Sequence, residues 1–590
     1  MYNPLIHKKP YGASVQGQAT TITFPVDCNM HIKRVFVILR QIYATSGTLC
    51  SKEYRYELPY QNTVDGNDIF VGAFSVDESG IWKYRFEGEL QGGALAFFGR
   101  GLDGVAIRGD WLPEWQLTVV KCDYKVPNWA KRGVTYQIFA DRFCKVGDEP
   151  FNKRGYVHTN WNERPDIAEE GKDYLANDFF GGNINGIISK LDYLKDLGVS
   201  CIYLSPIFES GSNHRYDTGD YLKIDSLFGS QEQFKELIDK ADEKGISIML
   251  DGVFNHTGSD SRYFNKNGTY QEVGAYQSKQ SKYYDWYYFN NYPDKYGCWW
   301  GSTVVPTVNK SAQGFRELIL GEDGVIDKWT KLGIKAWRLD VVDELPIDFT
   351  NALCARIKQE GNDKFIVGEV WEDASTKVAY SEWRPYFMGE QLHSVMNYPF
   401  KEAILSYAQN GDKNAFIGIV THILENYPKQ TLDALMNLIG SHDTVRAITA
   451  LSGVKAPYSK RERAEYMLPW EQYNVAKRRL MLASTLQYTL PGVPCVFYGD
   501  EVGKQGFEDP LNRGTYPWGG EDTELLAHYK KLGAFREKYA RLLLGETHFV
   551  NNDNLLIFER VCDGDICRVE SNGVWAKVSV NGKEELNINA

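Results

Sequence analysis

The sequence predicts an α/β fold: a (β/α)8 TIM barrel with an excursion subdomain after strand 3, an N-terminal β-sandwich and a small C-terminal β domain. Three observations carry that prediction. From Gly133 onward, apolar strand-like runs alternate with helix-like stretches, the pattern of parallel βα units. There are eight such runs, the number that closes a barrel. Polar residues gather at the C-terminal ends of these runs, where a barrel carries its chemistry.

Residues 1–122 read as β structure. HIKRVFVILRQ, KEYRYELPY, DIFVGAFSV and GIWKYRFEGEL are short strand-like runs separated by Gly, Asn and Asp turns, a spacing that suits a sandwich of about 100 residues. Residues 123–132, with Pro127, read as a linker. The barrel spans 133–525. Its strands are GVTYQIF, VSCIYLSPIF, ISIMLDGVFNH, IKAWRLDVV, KFIVGEVW, HSVMNYPF, LMNLIGSHD and VPCVFYGDE. SQEQFKELIDKADEKG shows how helices separate them: Phe234, Leu237, Ile238 and Ala241 recur at helical spacing and a glycine follows. The connection from about 257 to 310 is too long for a plain βα loop and is rich in aromatics, as in YYDWYYFNNYPDKYGCWW. Loops of that length are usually functional. Residues 526–590 read as a last helix and a short β domain with Asn-Asn, Asp-Gly and Asn-Gly turns.

Composition narrows the function. A formal net charge of −11 argues against a general binder of nucleic acid or anionic membrane. Aromatic residues make up 14%, with 15 Trp and 37 Tyr, which suits stacking on the apolar faces of sugar rings. The ten cysteines are scattered without metal-ligand spacing. The opening MYNPLIHKKPYGAS has no apolar h-region and no small-residue cleavage site, and no run is long enough to span a bilayer. The expectation is therefore a reduced, cytoplasmic protein.

The candidate site lies at four strand ends. Strand 3 ends in Asp251, Asn255 and His256, strand 4 in Arg338 and Asp340, strand 5 in Glu369 and strand 7 in His442 and Asp443. Arg338 and Asp340, at i and i+2 of a strand, project to one face, so the guanidinium is expected to keep Asp340 ionised. Unpartnered buried charge is costly, so four charged strand ends point to a shared site. Two carboxylates, one ionised and one protonated, are the equipment of glycoside hydrolysis. His256 and His442 lack the spacing of a metal motif.

In these blocks the chain resembles glycoside hydrolase family 13, the α-amylase family, and within it the neopullulanase, cyclomaltodextrinase and maltogenic-amylase group. DGVFNH (251–256), WRLDVVDE (337–344), GEVW (368–371) and IGSHDT (439–444) follow in the family's order, supported by VSCIYLSPIF (199–208) and GVPCVFYGDEVG (492–503). The resemblance implies Asp340 as nucleophile, Glu369 as acid and base, and Asp443 as the carboxylate that holds sugar hydroxyls. It implies Tyr216, His256, Arg338, His442, Glu344, Trp299 and Arg513 as substrate-binding residues, with Asp217, Asp251 and Asn255 supporting them. Trp286 and Trp300 are further candidates for a sugar platform. The N-terminal sandwich is similar to the group's starch-binding-like domain, which implies a homodimer through that domain.

Three departures bear on specificity. VPTVN (305–309) stands where the group usually has MPKLN, and VVDE (341–344) where it has VANE. The group's Ca²⁺ loop is rich in Asn and Asp and ends in GGD, whereas this chain has RFCKVGDEPFNK and GGNING. Asp148, Asn152 and Asn183 are then the oxygen ligands on offer for Ca²⁺, and no cofactor is expected in the chemistry itself. The expected activity is retaining hydrolysis of α-1,4 bonds, and of α-1,6 bonds as a variant, in maltooligosaccharides, cyclodextrins or pullulan. The alternatives are a transglycosylase of the 4-α-glucanotransferase kind on the same acids, and a non-catalytic glucan-binding protein.

Overall fold

The computed structural model describes residues 1–44, 49–101, 104–168 and 174–588. The chain divides into two compact units. One comprises Met1–Val126 with Trp371–His393 and Asn414–Asp433; the other comprises Pro127–Val370, Ser394–Lys413 and Ala434–Ala590.

In the first unit the alternating runs become two sheets. One holds Ala19–Asp27 against Asn67–Ser75; the other holds Ile32–Ala44 against Glu53–Leu58 and Gly80–Leu90. Their inward residues form an aromatic core of Tyr2, Phe24, Phe86 and Trp115, all fully buried, with the Phe24 and Phe86 rings 4.4 Å apart. Aromatic pairs at such separations add to area burial.

In the second unit the eight runs form one parallel sheet. The strands are β1 (Val134–Ile138), β2 (Val199–Leu204), β3 (Ser247–Gly252), β4 (Ala336–Leu339), β5 (Phe365–Gly368), β6 (Ser394–Val395), β7 (Met436–Leu438) and β8 (Val493–Phe497). They run β6-β5-β4-β3-β2-β1-β8-β7, and a parallel bridge between Met396 and Met436 joins the two ends. The sheet is thereby a barrel, as the eight runs imply. Every residue of β1, β3, β4, β5, β7 and β8 is buried, because helices cover a parallel sheet on its outer face.

Register decides which residues meet. Asp251 lies opposite Arg338, and Leu339 opposite Gly368, so Asp340 and Glu369 both stand one residue past the paired ends. The helix Gln231–Glu243 begins with a capping box between Ser230 and Gln233 and buries Phe234, Leu237, Ile238 and Ala241, the stripe read from the sequence. Gly245, at φ +71°, turns the chain after it.

The stretch after β3 is held by packing rather than by regular structure. Trp286 lies 5.2 Å from Tyr263 and 4.8 Å from Tyr283 and is only 6% exposed, so it is core and not a sugar platform. A bridge from His256 to Thr307 and the bond from Val308 N–H to the Asn255 carbonyl at 3.0 Å return the end of the excursion to the end of β3. The C-terminal residues Glu546–Ile588 form a five-stranded antiparallel meander.

His528, on the helix Thr523–Lys538, is 5% exposed and bonds the Ser484 hydroxyl at 2.9 Å. Burial pushes its pKa down to about 4. The unfolded chain binds this proton near pH 6.5 and the folded chain does not, so this stability is complete above about pH 6.5 and is lost progressively toward pH 4. Of that loss, about 2 kcal/mol falls between pH 6.5 and 5. His528→Gln should therefore show a shallower acid fall in melting temperature over that interval. A slope equal to wild type would place the ring's titration elsewhere.

Candidate active site

The geometry centres on Arg338, which has no exposed surface. Its Nη1 reaches Asp251 Oδ1 at 2.8 Å and Asp340 Oδ1 at 2.7 Å, and its Nη2 lies 3.0 Å from Glu369 Oε2. The sequence pairs this arginine with Asp340 alone; the barrel makes it common to three carboxylates. One positive charge cannot neutralise three negative ones, so the cluster holds a proton more readily than separate acids would. Burial pushes Asp340 well above the usual carboxylate range, Arg338 opposes it, and the neighbouring acids Glu369 and Asp251 add to the rise. Arg338 pairs with Asp340 as the sequence implies, and its charge, shared with two further acids, opposes that rise.

Two details fix the positions of the acids. Val341 N–H donates to Glu369 Oε2 at 2.9 Å. To do so Val341 adopts φ 37° and ψ 51°, a left-handed conformation that is unusual for a β-branched residue. Such strain costs about 1–3 kcal/mol and collects at functional sites. Asp251 is fully buried and accepts the hydroxyls of Tyr203 at 2.6 Å and Tyr216 at 3.0 Å as well as Arg338. It anchors the cluster from below.

Asp443 closes the group, with 30% of its side chain open. One oxygen is 3.1 Å from His442 Nε2, and the other is 3.5 Å from Arg513 Nη2. Gln137, from β1, bonds His442 Nδ1 at 2.8 Å. The Tyr216 hydroxyl meets Nε2 of His442, and the two rings stack at 5.2 Å with planes 2° apart. Burial, then the charges of Arg513 and Arg338, push His442 well below its ordinary pKa and keep it neutral. The structure thus brings Asp340, Glu369, Asp251, Arg338, Tyr216, His442, Asp443 and Arg513 into one network.

The remaining predicted residues surround it. Asn255 lies against His256, and Trp299 stacks on His256 at 5.2 Å. Trp300, 85% exposed, points its Nε1 toward Glu344 Oε1 at 3.4 Å. Asp217 accepts the Ser210 and Ser212 hydroxyls, so its bonds tie a loop together. Sequence reasoning missed Tyr203, Gln137 and Lys310. Only Gln137 gave a signal, as a polar residue inside an apolar strand.

The residues named for Ca²⁺ each have other partners. Asn183 Oδ1 accepts N–H bonds from Val146 and Gly186, Asp148 pairs with Lys145, and Asn152 accepts the Ser226 hydroxyl. Among the described residues, donor atoms of His158, Asp166 and Asp178 come within 4.8 Å of one another, but Asp178 already takes bonds from Tyr174, Asn213 and Arg142.

A barrel whose strand ends present buried acids around one arginine, with neutral histidines and aromatic rings beside them, has the layout of a glycoside hydrolase. The profile of the α-amylase catalytic domain matches residues 137–539, and the chain belongs to the α-amylase family, glycoside hydrolase family 13. It is 37% identical to an amylopullulanase of Thermoanaerobacter thermohydrosulfuricus over 76% of this chain and 33% of that protein. It is 33% identical to the intracellular maltogenic amylase of Bacillus subtilis over 75% of this chain and 68% of that one. The type III pullulan hydrolase of Thermococcus kodakarensis superposes with a TM-score of 0.67 at 25% identity, covering 97% of this chain and 93% of the other. The chain spans about a third of the length of the amylopullulanases it resembles. The resemblance read from the sequence blocks is therefore shown.

Arg338→Met should destabilise the barrel by about 3–5 kcal/mol at neutral pH, because it strands buried carboxylates without their cation. Those carboxylates take up protons as pH falls, so the loss should be smaller at pH 5 than at pH 7.5. Calorimetry at the two pH values checks this, and an equal deficit at both would contradict the shared-charge account.

Proposed function

We propose that the chain is a retaining α-glucan hydrolase acting on α-1,4 glucosidic bonds, with α-1,6 bonds as a second class. The observation that carries this reading is the single guanidinium spanning Asp340 and Glu369 at the C-terminal mouth of the barrel. In the proposed reaction the Asp340 carboxylate attacks the anomeric carbon. The bond to the leaving oxygen breaks as Glu369 gives that oxygen its proton, leaving a β-glycosyl ester on Asp340. A water then loses a proton to Glu369 and attacks the same carbon, freeing Asp340 and an α-configured product. Asp443, held between His442 and Arg513, is proposed to bind ring hydroxyls. Neutral His442 and His256 offer hydrogen bonds without adding positive charge beside a cationic transition state. No step is routed through a metal.

Glucan substrates are supported by the named activities of the relatives, and a cytoplasmic location by the intracellular maltogenic amylase among them. Among the described residues no helix is long and apolar enough to cross a membrane. A homodimer through the N-terminal domain rests on the resemblance alone; light scattering of the full chain should give twice the chain mass, and the monomer mass would remove it.

Wild type should release reducing sugar from maltotriose, γ-cyclodextrin or pullulan, and Asp340→Asn should lower that release by at least about a thousandfold. Proton NMR of the first products should show the α anomer. Equal release by both proteins would favour a binding protein, and a β product would exclude retention.

A further inference from the structure

Lys310 lies where the excursion rejoins the barrel, one residue past the VPTVN segment, and it is 7% exposed. Its ammonium donates to Asn255 Oδ1. An ammonium has three donors and no acceptor, so the oxygen of the Asn255 amide must face it. The NH2 of that amide then faces His256, whose Nδ1 lies 3.3 Å away. A donor at Nδ1 requires a lone pair there, which leaves the ring proton on Nε2. The backbone carbonyl of Tyr216 accepts from the same ring and needs an N–H to meet it. The Asn255 amide therefore demands the Nε2–H tautomer, whose N–H is the donor left for that carbonyl.

We propose that Lys310 is a positioning residue that, through Asn255, locks His256 as the neutral Nε2–H tautomer and so fixes the Tyr216 and Trp299 segments beside the acids. Lys310 needs no contact with the sugar to do this. The imidazole touches Trp299 by stacking and Tyr216 through its carbonyl, and Tyr216 in turn bonds Asp251 and His442. A ring free to exchange tautomers would present an acceptor where the Tyr216 carbonyl needs a donor, and would loosen both. Burial, with the nearby Lys310 charge as the next cause, also pushes His256 down to about 3.

The inference deepens the proposed hydrolase reading, and one of its readouts does not depend on turnover. Protein labelled with 15N-histidine, in wild type, Lys310→Met, Lys310→Arg and Asn255→Asp forms, would be followed by long-range 1H–15N correlation, with His256 assigned by its loss in His256→Gln. Wild type and Lys310→Arg should show a single Nε2–H tautomer from pH 8 to 5. Lys310→Met should show averaging of the two ring nitrogens. Asn255→Asp places an acceptor against Nδ1, so the proton should move there, which keeps the idea testable if the methionine variant does not fold. On maltotriose, Lys310→Met should lower kcat/KM at least tenfold in wild type and by less than twofold in the His256→Gln background. An unchanged His256 spectrum in Lys310→Met and Asn255→Asp, or losses that multiply in the double variant, would overturn the assignment. A wild type inactive on α-glucans with the expected spectra would instead sink only the hydrolase reading.

Discussion

The guanidinium of Arg338 stands between Asp251, Asp340 and Glu369, and the rest of the barrel mouth is arranged to tolerate that crowding. Taking one arginine and three carboxylates out of water is expensive unless each is paired and hydrogen-bonded. Asp251 meets that demand by accepting two tyrosine hydroxyls, and Glu369 by accepting the Val341 amide. The result is a set of acids with a negative surplus and fixed geometry. That surplus is useful chemically, since one acid must be ionised while another carries a proton.

Around this charge cluster the protein places groups that are polar but neutral. His442 and His256 are both held uncharged by burial. Each has its Nδ1 occupied by an amide, Gln137 for one and Asn255 for the other. An imidazolium at either position would compete with Arg338 for the carboxylates. Two amide-oriented neutral rings instead supply direction without charge. The amides come from different places in the barrel, one from β1 and one from just past β3.

Strain and packing share the remaining work. The left-handed Val341 turns the chain sharply after Asp340, so that its amide and the acid beside it serve the same site. The excursion after β3 has only short regular elements of its own, and packed rings such as Tyr263, Tyr283 and Trp286 help to hold it. Its end is bridged back to His256, which brings Trp299 against that ring and Lys310 against Asn255.

The sequence by itself determined the eight barrel strands, the helix stripe of Phe234, Leu237, Ile238 and Ala241, and the acids Asp340, Glu369 and Asp443. These are periodic or local signals: alternation of apolar runs, and charge where an apolar run ends. The tertiary structure alone decided that Arg338 serves three acids, that Trp286 is core, and that the residues named for Ca²⁺ already have other partners. It also decided the Lys310–Asn255–His256 relay, whose lysine and asparagine are 55 residues apart in the chain. Such relations depend on register and on the return path of a long excursion, and no local pattern of residue types encodes either.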